Sequence, residues 1–191
     1  STLAVVYNWA AHALTVGPEN RRYTADFPGE ARRLLESELG GHLIFLNGAA
    51  GDIHPKHSMR PDFSAMETIG AALADDIRKG LNGMRRVEPD GLTLKTASMA
   101  FENRVDASMT THVELAVLSF GNVVMVFLPG EFFVNFQLDF KAAMIGRRAF
   151  FVGYAGDWQG YAPTVDEYAR GGYGVDLCET DPPQYSRTKL P

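Results

Sequence analysis

The stretch Leu43-Ile44-Phe45-Leu46-Asn47-Gly48-Ala49-Ala50-Gly51-Asp52-Ile53-His54-Pro55 decides the fold class. Its short apolar run reads as a buried strand. The strand empties into small residues, a Gly-Asp turn, and a histidine followed by proline. Open α/β sheets bind ligands at the carboxyl ends of central strands, and small residues before Asp52 and His54 leave room for a ligand. By itself the stretch also reads as a plain strand exit, because Gly, Asp and Pro are ordinary turn residues. Its company makes it more: Asn8 to His12, Pro129 to Glu131, and Tyr161 to Tyr173.

Upstream, Leu3 to Trp9 is apolar and reads as a buried strand. Asp26-Phe27-Pro28-Gly29 leads into a helix from about Glu30, with Ala31, Leu34, Leu35 and Leu39 at helical spacing and Gly40-Gly41 as its stop. Downstream, Ser64-Ala65-Met66-Glu67 has the form of a capping box. The helix it starts puts Ile69, Leu73 and Ile77 on one face and fades at Gly80 to Gly83. Leu92 to Val105 alternates loosely, like edge strands with one wet face. His112 to Phe120, Gly121-Asn122 and Val123 to Leu128 predict a hairpin with a two-residue turn, its second strand apolar on both faces and therefore central. Pro129-Gly130-Glu131 opens a helix with Phe133, Phe136, Phe140 and Met144 as its core stripe, and Ala149 to Tyr154 is a further strand. From Gly156 the chain is rich in Gly, Tyr and Asp without period, which predicts a long ordered loop. The Pro-rich 181–191 is expected to be a tail or linker. Alternation of strands and helices around a hairpin predicts an α/β fold: a layered domain with a mixed β-sheet flanked by helices.

The composition excludes several functions. The 191 residues are enough for a full core, and 46% hydrophobic with 21% charged residues is the make-up of an ordinary globule. A formal charge of −5 without a Lys/Arg cluster argues against a nucleic-acid partner. No apolar run approaches the ~20 residues of a transmembrane segment. A single cysteine, Cys178, excludes an internal disulfide framework or a thiolate metal cluster.

Three polar features stand at the ends of expected strands: His12, Asp52 with His54, and Glu131. If these strands are neighbours, the features converge on one rim of the sheet. An imidazole, a carboxylate and a further oxygen ligand make good zinc chemistry, with one position left for water or substrate. Each residue also has a plainer reading. Glu131 complements the start of a helix, where the partial positive charge favours an ionised carboxylate, and His12 is a hydrogen-bonded buried histidine. His42, His57 and His112 read as surface or structural residues, and no local His-Glu-x-x-His motif is present.

Asn8-Trp9-Ala10-Ala11-His12, Gly51-Asp52-Ile53-His54-Pro55, Pro129-Gly130-Glu131-Phe132 and Tyr161-x-x-Thr164-x-x-Glu167-Tyr168 stand in an order that resembles the neutral ceramidases, zinc-dependent amidases that cleave the N-acyl bond of ceramide. The likeness runs over nearly the whole chain, with Asp26-Phe27-Pro28-Gly29 between the motifs. It implies zinc as cofactor, with His12, Glu131 and Tyr161 as ligands. It also implies that Tyr173, twelve residues beyond Tyr161, binds the carbonyl oxygen. Both tyrosines equally read as loop packing, a large ring with one hydroxyl to satisfy.

Two departures from the family pattern stand out. The family reads Gly-Asp-x-Ser-Pro, with the serine as nucleophile, where this chain has His54; Ser58 has no spacing that marks it as a substitute. The family's further zinc-ligating histidine lies in an upstream His-x-His motif, which this sequence lacks. The abrupt start in a strand suggests a fragment, so 1–180 is expected to be the C-terminal portion of a ceramidase-like catalytic domain.

The resulting expectation is a zinc-dependent hydrolase that cleaves an amide or related bond of a small-molecule or lipid-like substrate by metal-activated water. Asp52, His54 and Tyr173 form its catalytic group. His54 orients the water or shuttles a proton, and Tyr173 stabilises the oxyanion. Two rivals remain: a non-catalytic ligand-binding module that keeps the fold, and a metal-dependent esterase acting on another lipid or a sugar. The family resemblance implies a secreted or periplasmic setting.

Overall fold

Strand β1 (Ala4–Trp9) and strand β2 (His42–Asn47) pair in a two-stranded sheet, with helix α1 (Asp26–Leu39) between them in the chain. The computed structural model describes residues 2–102, 108 and 110–180. These fall into two units, Ser1–Leu46 with His54–Arg86, and Asn47–Ile53 with Val87–Pro191. The expected tail at 181–191, and the part of the expected edge strand at 103–105, lie outside the described residues. The α/β class expected from the alternation of elements is the class observed, and a mixed four-stranded sheet lies in the second unit.

In the first unit an aromatic cluster joins the sheet to α1. Phe27 is fully buried, with its ring edge-on to Trp9 at 5.3 Å and to Phe45 at 6.3 Å, while Tyr7 stacks on Phe45 at 5.2 Å. Ala31 and Leu35 follow Phe27 at helical spacing and are equally buried. The helix starts at Asp26, earlier than Glu30. Pro28 sits in the first turn, where its missing N–H has no partner to lose. The helix stops at Gly40, which takes the left-handed conformation (φ 66°) that an L side chain resists. Strands β1 and β2 were expected to be buried and β2 central. Instead Val6 is 50% and Ile44 43% exposed, because among the described residues the two strands form a two-stranded sheet. An apolar run reveals the strand but not how many neighbours it finds.

Helix α2 (Ser64–Asn82) packs on α1 through Gly70, where a Cβ would come within 2.6 Å of the Glu30 side chain. Its buried residues are Ala65, Gly70, Leu73 and Ala74; Ile69 and Ile77 are half-buried beside them. The expected capping box is not formed by Ser64 and Glu67. Asp62 instead accepts from both the N–H (2.9 Å) and the hydroxyl (2.5 Å) of Ser64, so an aspartate two residues earlier satisfies the helix start.

The second unit carries a four-stranded sheet in the order β3 (Thr93–Glu102), β4 (Thr110–Phe120), β5 (Val123–Phe127), β7 (Arg148–Val152). The hairpin holds as expected. Phe120 pairs with Val123 across Gly121-Asn122, and β5 lies between β4 and the parallel strand β7. Helix α3 (Val134–Ala143) covers the sheet through Phe136 and Phe140, which pack against Ala49, Val126, Phe132, Phe151 and Ala162. The rings of Phe132, Phe136, Phe151 and Phe140 meet edge to face, the arrangement their quadrupoles favour.

The region after Gly156 is more regular than its composition suggests. It holds strand β8 (Tyr161–Ala162), a 3₁₀ turn (Val165–Ala169) and helix α4 (Tyr173–Thr180). Pairing partners far away in the chain, rather than local period, order β8, so the sequence carries no signal for it.

The small residues after β2 earn their place in this unit. Gly51 donates its N–H to the Phe132 carbonyl (2.8 Å), and a Cβ on Gly51 would stand 2.3 Å from the Glu131 carbonyl oxygen. Backbone cannot yield there as a flexible side chain would. Gly51→Ala is therefore expected to destabilise the second unit by about 1–3 kcal/mol or more, read as a lowered urea midpoint; an unchanged midpoint would contradict this packing.

Candidate functional site

Glu131 lies in a two-residue strand, β6 (Glu131–Phe132), paired in parallel with β8 so that Glu131 faces Tyr161 and Phe132 faces Ala162. This corrects the expectation that Glu131 opens a helix: α3 begins at Val134, and the helix-end charge argument for Glu131 falls with it. The β6–β8 pairing brings a carboxylate and a phenol to opposite register positions, although the two residues are thirty apart in sequence. Both are buried, Glu131 at 8% and Tyr161 at 7% exposure.

A buried carboxylate is costly unless its oxygens are hydrogen-bonded. The Tyr154 hydroxyl donates to Glu131 Oε2 (3.0 Å) and the Trp158 indole N–H to Oε1 (3.0 Å). Burial first, then the adjacent Glu131 charge, raises the Tyr154 phenol far above its ordinary value. It stays protonated, and so remains a donor, throughout the neutral range. Neither residue stands out in the sequence. One signal was available: Tyr154 takes a left-handed backbone (φ 56°), a conformation that costs an L residue roughly 1–2 kcal/mol and tends to collect at functional sites. Only coordinates show it.

Tyr173, the first residue of α4, is 71% exposed, and its ring meets that of Tyr161 edge-on at 5.8 Å. Gly174 lets this helix start approach closely, since a Cβ there would be 2.9 Å from the Phe133 ring. Asp52 belongs to the same unit but serves α3: its Oδ1 accepts from the Val134 N–H (2.7 Å), the first N–H of that helix. An acidic side chain at a helix start complements the backbone donors and the dipole.

His12 and His54 lie in the first unit with ring centroids 4.9 Å apart and planes inclined by 37°. The structure thus brings together two pairs of the expected residues, His12 with His54 and Glu131 with Tyr161, and adds Tyr173 to the second. The donor set contains the nitrogen and oxygen types that zinc takes: imidazole from His12, carboxylate from Glu131, phenol from Tyr161. Among the described residues no three of His, Cys, Asp and Glu gather as a metal-holding group. No helix among the described residues is long and apolar enough to cross a membrane.

No protein-family model matches the chain, and no curated protein matches it by sequence. Solved structures do match it in shape. The neutral ceramidase from Pseudomonas aeruginosa superposes with a TM-score of 0.72 over 92% of this chain, at 15% identity. A ceramidase complexed with C2 superposes with a TM-score of 0.72 over 90%, at 13% identity. The chain spans 40% and 42% of the lengths of those two proteins. At such identity the likeness is one of fold, and the fold of this chain resembles part of a neutral ceramidase.

Proposed function

We propose that the chain carries part of a zinc-dependent hydrolase of the neutral ceramidase type, acting on an amide, or a related acyl bond, of a lipid-like substrate. The observation that supports this most is the Glu131–Tyr161 pair: a buried, hydrogen-bonded carboxylate opposite a buried phenol, in a fold that resembles part of a neutral ceramidase. His12, Glu131 and Tyr161 are the ligands in this reading. A bound zinc supplies carbonyl polarisation and an acidified water.

The chain's own residues do the rest. His54, an imidazole beside His12, orients the attacking water or passes its proton to the leaving nitrogen, since an imidazole can both donate and accept a proton. Tyr173 presents its hydroxyl to the carbonyl oxygen as negative charge develops there. Asp52 holds the first N–H of α3, just after the strand that carries Glu131.

A second reading has its own support. Histidine stands where the ceramidase pattern has its serine nucleophile, and no trio of acidic or histidine ligands gathers among the described residues. Both favour a non-catalytic module that keeps the fold and binds a lipid-like ligand. Metal analysis of the purified protein, with short-chain N-acyl amides and matched acyl esters as substrates, separates the readings. One equivalent of zinc with faster amide cleavage supports the amidase, faster ester cleavage an esterase at the same site. Neither metal nor turnover would leave the module.

A further inference from the structure

We propose that Tyr154 and Trp158 are positioning residues for Glu131, two donors on one loop that fix the direction of the carboxylate before any cation arrives. The proposal deepens the metal reading above and rests on it for the identity of the cation. It begins from the pairing of each donor with a different oxygen. Tyr154 takes Oε2 and Trp158 takes Oε1, both at 3.0 Å. One donor leaves a carboxylate free to swing about that bond; a donor on each oxygen fixes its plane. The indole N–H can only donate, and the Tyr154 hydroxyl donates to the other oxygen.

The loop that carries the two donors is tied along its length to the segment that carries the carboxylate. Ala155 donates its N–H to the Leu128 carbonyl (3.0 Å), Tyr154 to Gly130 (3.1 Å) and Gln159 to Pro129 (3.2 Å). Glu131 returns its own N–H to the Gly160 carbonyl (2.8 Å). Between these anchors Asp157 shapes the turn, accepting from the Trp158 N–H and the Gln159 side chain (2.7 Å each). Residues 154–160 and 128–131 thus form one laced piece, with Tyr154 in a left-handed backbone conformation (φ 56°). Groups that orient a metal ligand in this way act on the ion through the ligand, and their removal typically costs about 10–100-fold in affinity.

The test uses the whole chain and two readouts. Zinc affinity is measured by chelator competition in wild type, Tyr154→Phe and Trp158→Phe, with thermal melts to establish folding. Each variant is expected to bind zinc about 10–100-fold more weakly. The second readout needs no metal. The chain has two tryptophans, Trp9 and Trp158, so Trp158→Phe identifies the Trp158 indole N–H resonance in a ¹H–¹⁵N spectrum. Glu131→Gln replaces a charged acceptor by a neutral one and is expected to move that resonance upfield. A resonance unmoved by Glu131→Gln, or zinc affinity unchanged in both folded variants, overturns the proposal. If wild type takes no zinc yet the indole resonance responds, the clamp on the carboxylate stands and the metal reading fails. Trp158→Phe serves as the affinity variant should Tyr154→Phe not fold.

Discussion

Glu131→Gln is expected to remove zinc binding and hydrolysis while leaving the fold intact. The neutral amide keeps the size of the side chain but loses the negative charge that ligation of a cation requires. The loss in zinc affinity should exceed the roughly 10–100-fold that removal of a ligand's own hydrogen-bond partner costs, because here the ligand itself goes. The buried surroundings tolerate the change for a specific reason. Trp158 can only donate, and finds the amide oxygen. The Tyr154 hydroxyl both donates and accepts, and turns to accept from the amide N–H. Stability should then stay within about 1 kcal/mol of wild type, the scale of one exchanged hydrogen bond. Glu131→Ala lacks this accommodation: it removes the shared acceptor of the indole N–H and the phenol, at about 0.5–1.5 kcal/mol for each hydrogen bond lost. Chelator competition and thermal melts on the two variants check both halves. Tight zinc binding by Glu131→Gln would remove the residue from the ligand set.

Asp26→Ala is expected to give a large loss of stability in the first unit, about 4 kcal/mol or more. The carboxylate is buried and accepts four hydrogen bonds. Oδ2 takes the N–H groups of Thr15 (3.0 Å) and Val16 (3.1 Å); Oδ1 takes the Thr15 hydroxyl (2.6 Å) and the Phe27 N–H (2.8 Å). Thr15 is itself fully buried, so its donors have no route to water. Truncation orphans several buried donors at once, at about 1–3 kcal/mol each before relaxation. It also places alanine at φ 54°, a conformation that aspartate and asparagine adopt several-fold more readily than most residues. Asp26→Asn retains one acceptor oxygen and the backbone preference, and should lose roughly half as much. Trp9, edge-on to Phe27, reports on this unit; urea unfolding followed by its emission in a Trp158→Phe background measures the change. A shift under about 1 kcal/mol would show that the loop is satisfied in another way.

These two carboxylates show which parts of the molecule were legible in the letters. Asp26-Phe27-Pro28-Gly29 reads as the approach to a helix, and the structure makes its aspartate the anchor of that approach. The hairpin about Gly121-Asn122 was legible because strand alternation and a two-residue turn are local patterns, as was the stop of α1 at Gly40. The apolar faces of β5 announced its central place, which needs no knowledge of its neighbours. The number of strands beside β2 is a tertiary fact, and the apolar run gave no warning that Ile44 would be half exposed. Likewise Glu131 reads as a helix start because Pro129-Gly130 precedes it and an aromatic stripe follows. It lies instead in a two-residue strand whose partner, Tyr161, comes thirty residues later. The donors on Glu131 were invisible for the same reason. Tyr154 sits at the end of an apparent strand and Trp158 in a region without period, and only the closing of that loop onto residues 128–131 gives them a shared acceptor.

We propose His12, Glu131 and Tyr161 as the ligands of a single zinc ion. X-ray absorption at the zinc edge of the zinc-loaded protein tests it most directly, since imidazole carbons scatter in a pattern that oxygen ligands do not. The account predicts one zinc with imidazole and oxygen donors in wild type, and loss of the His12 imidazole contribution in His12→Ala. A spectrum of oxygen ligands alone in wild type, or one unchanged in His12→Ala, would contradict it.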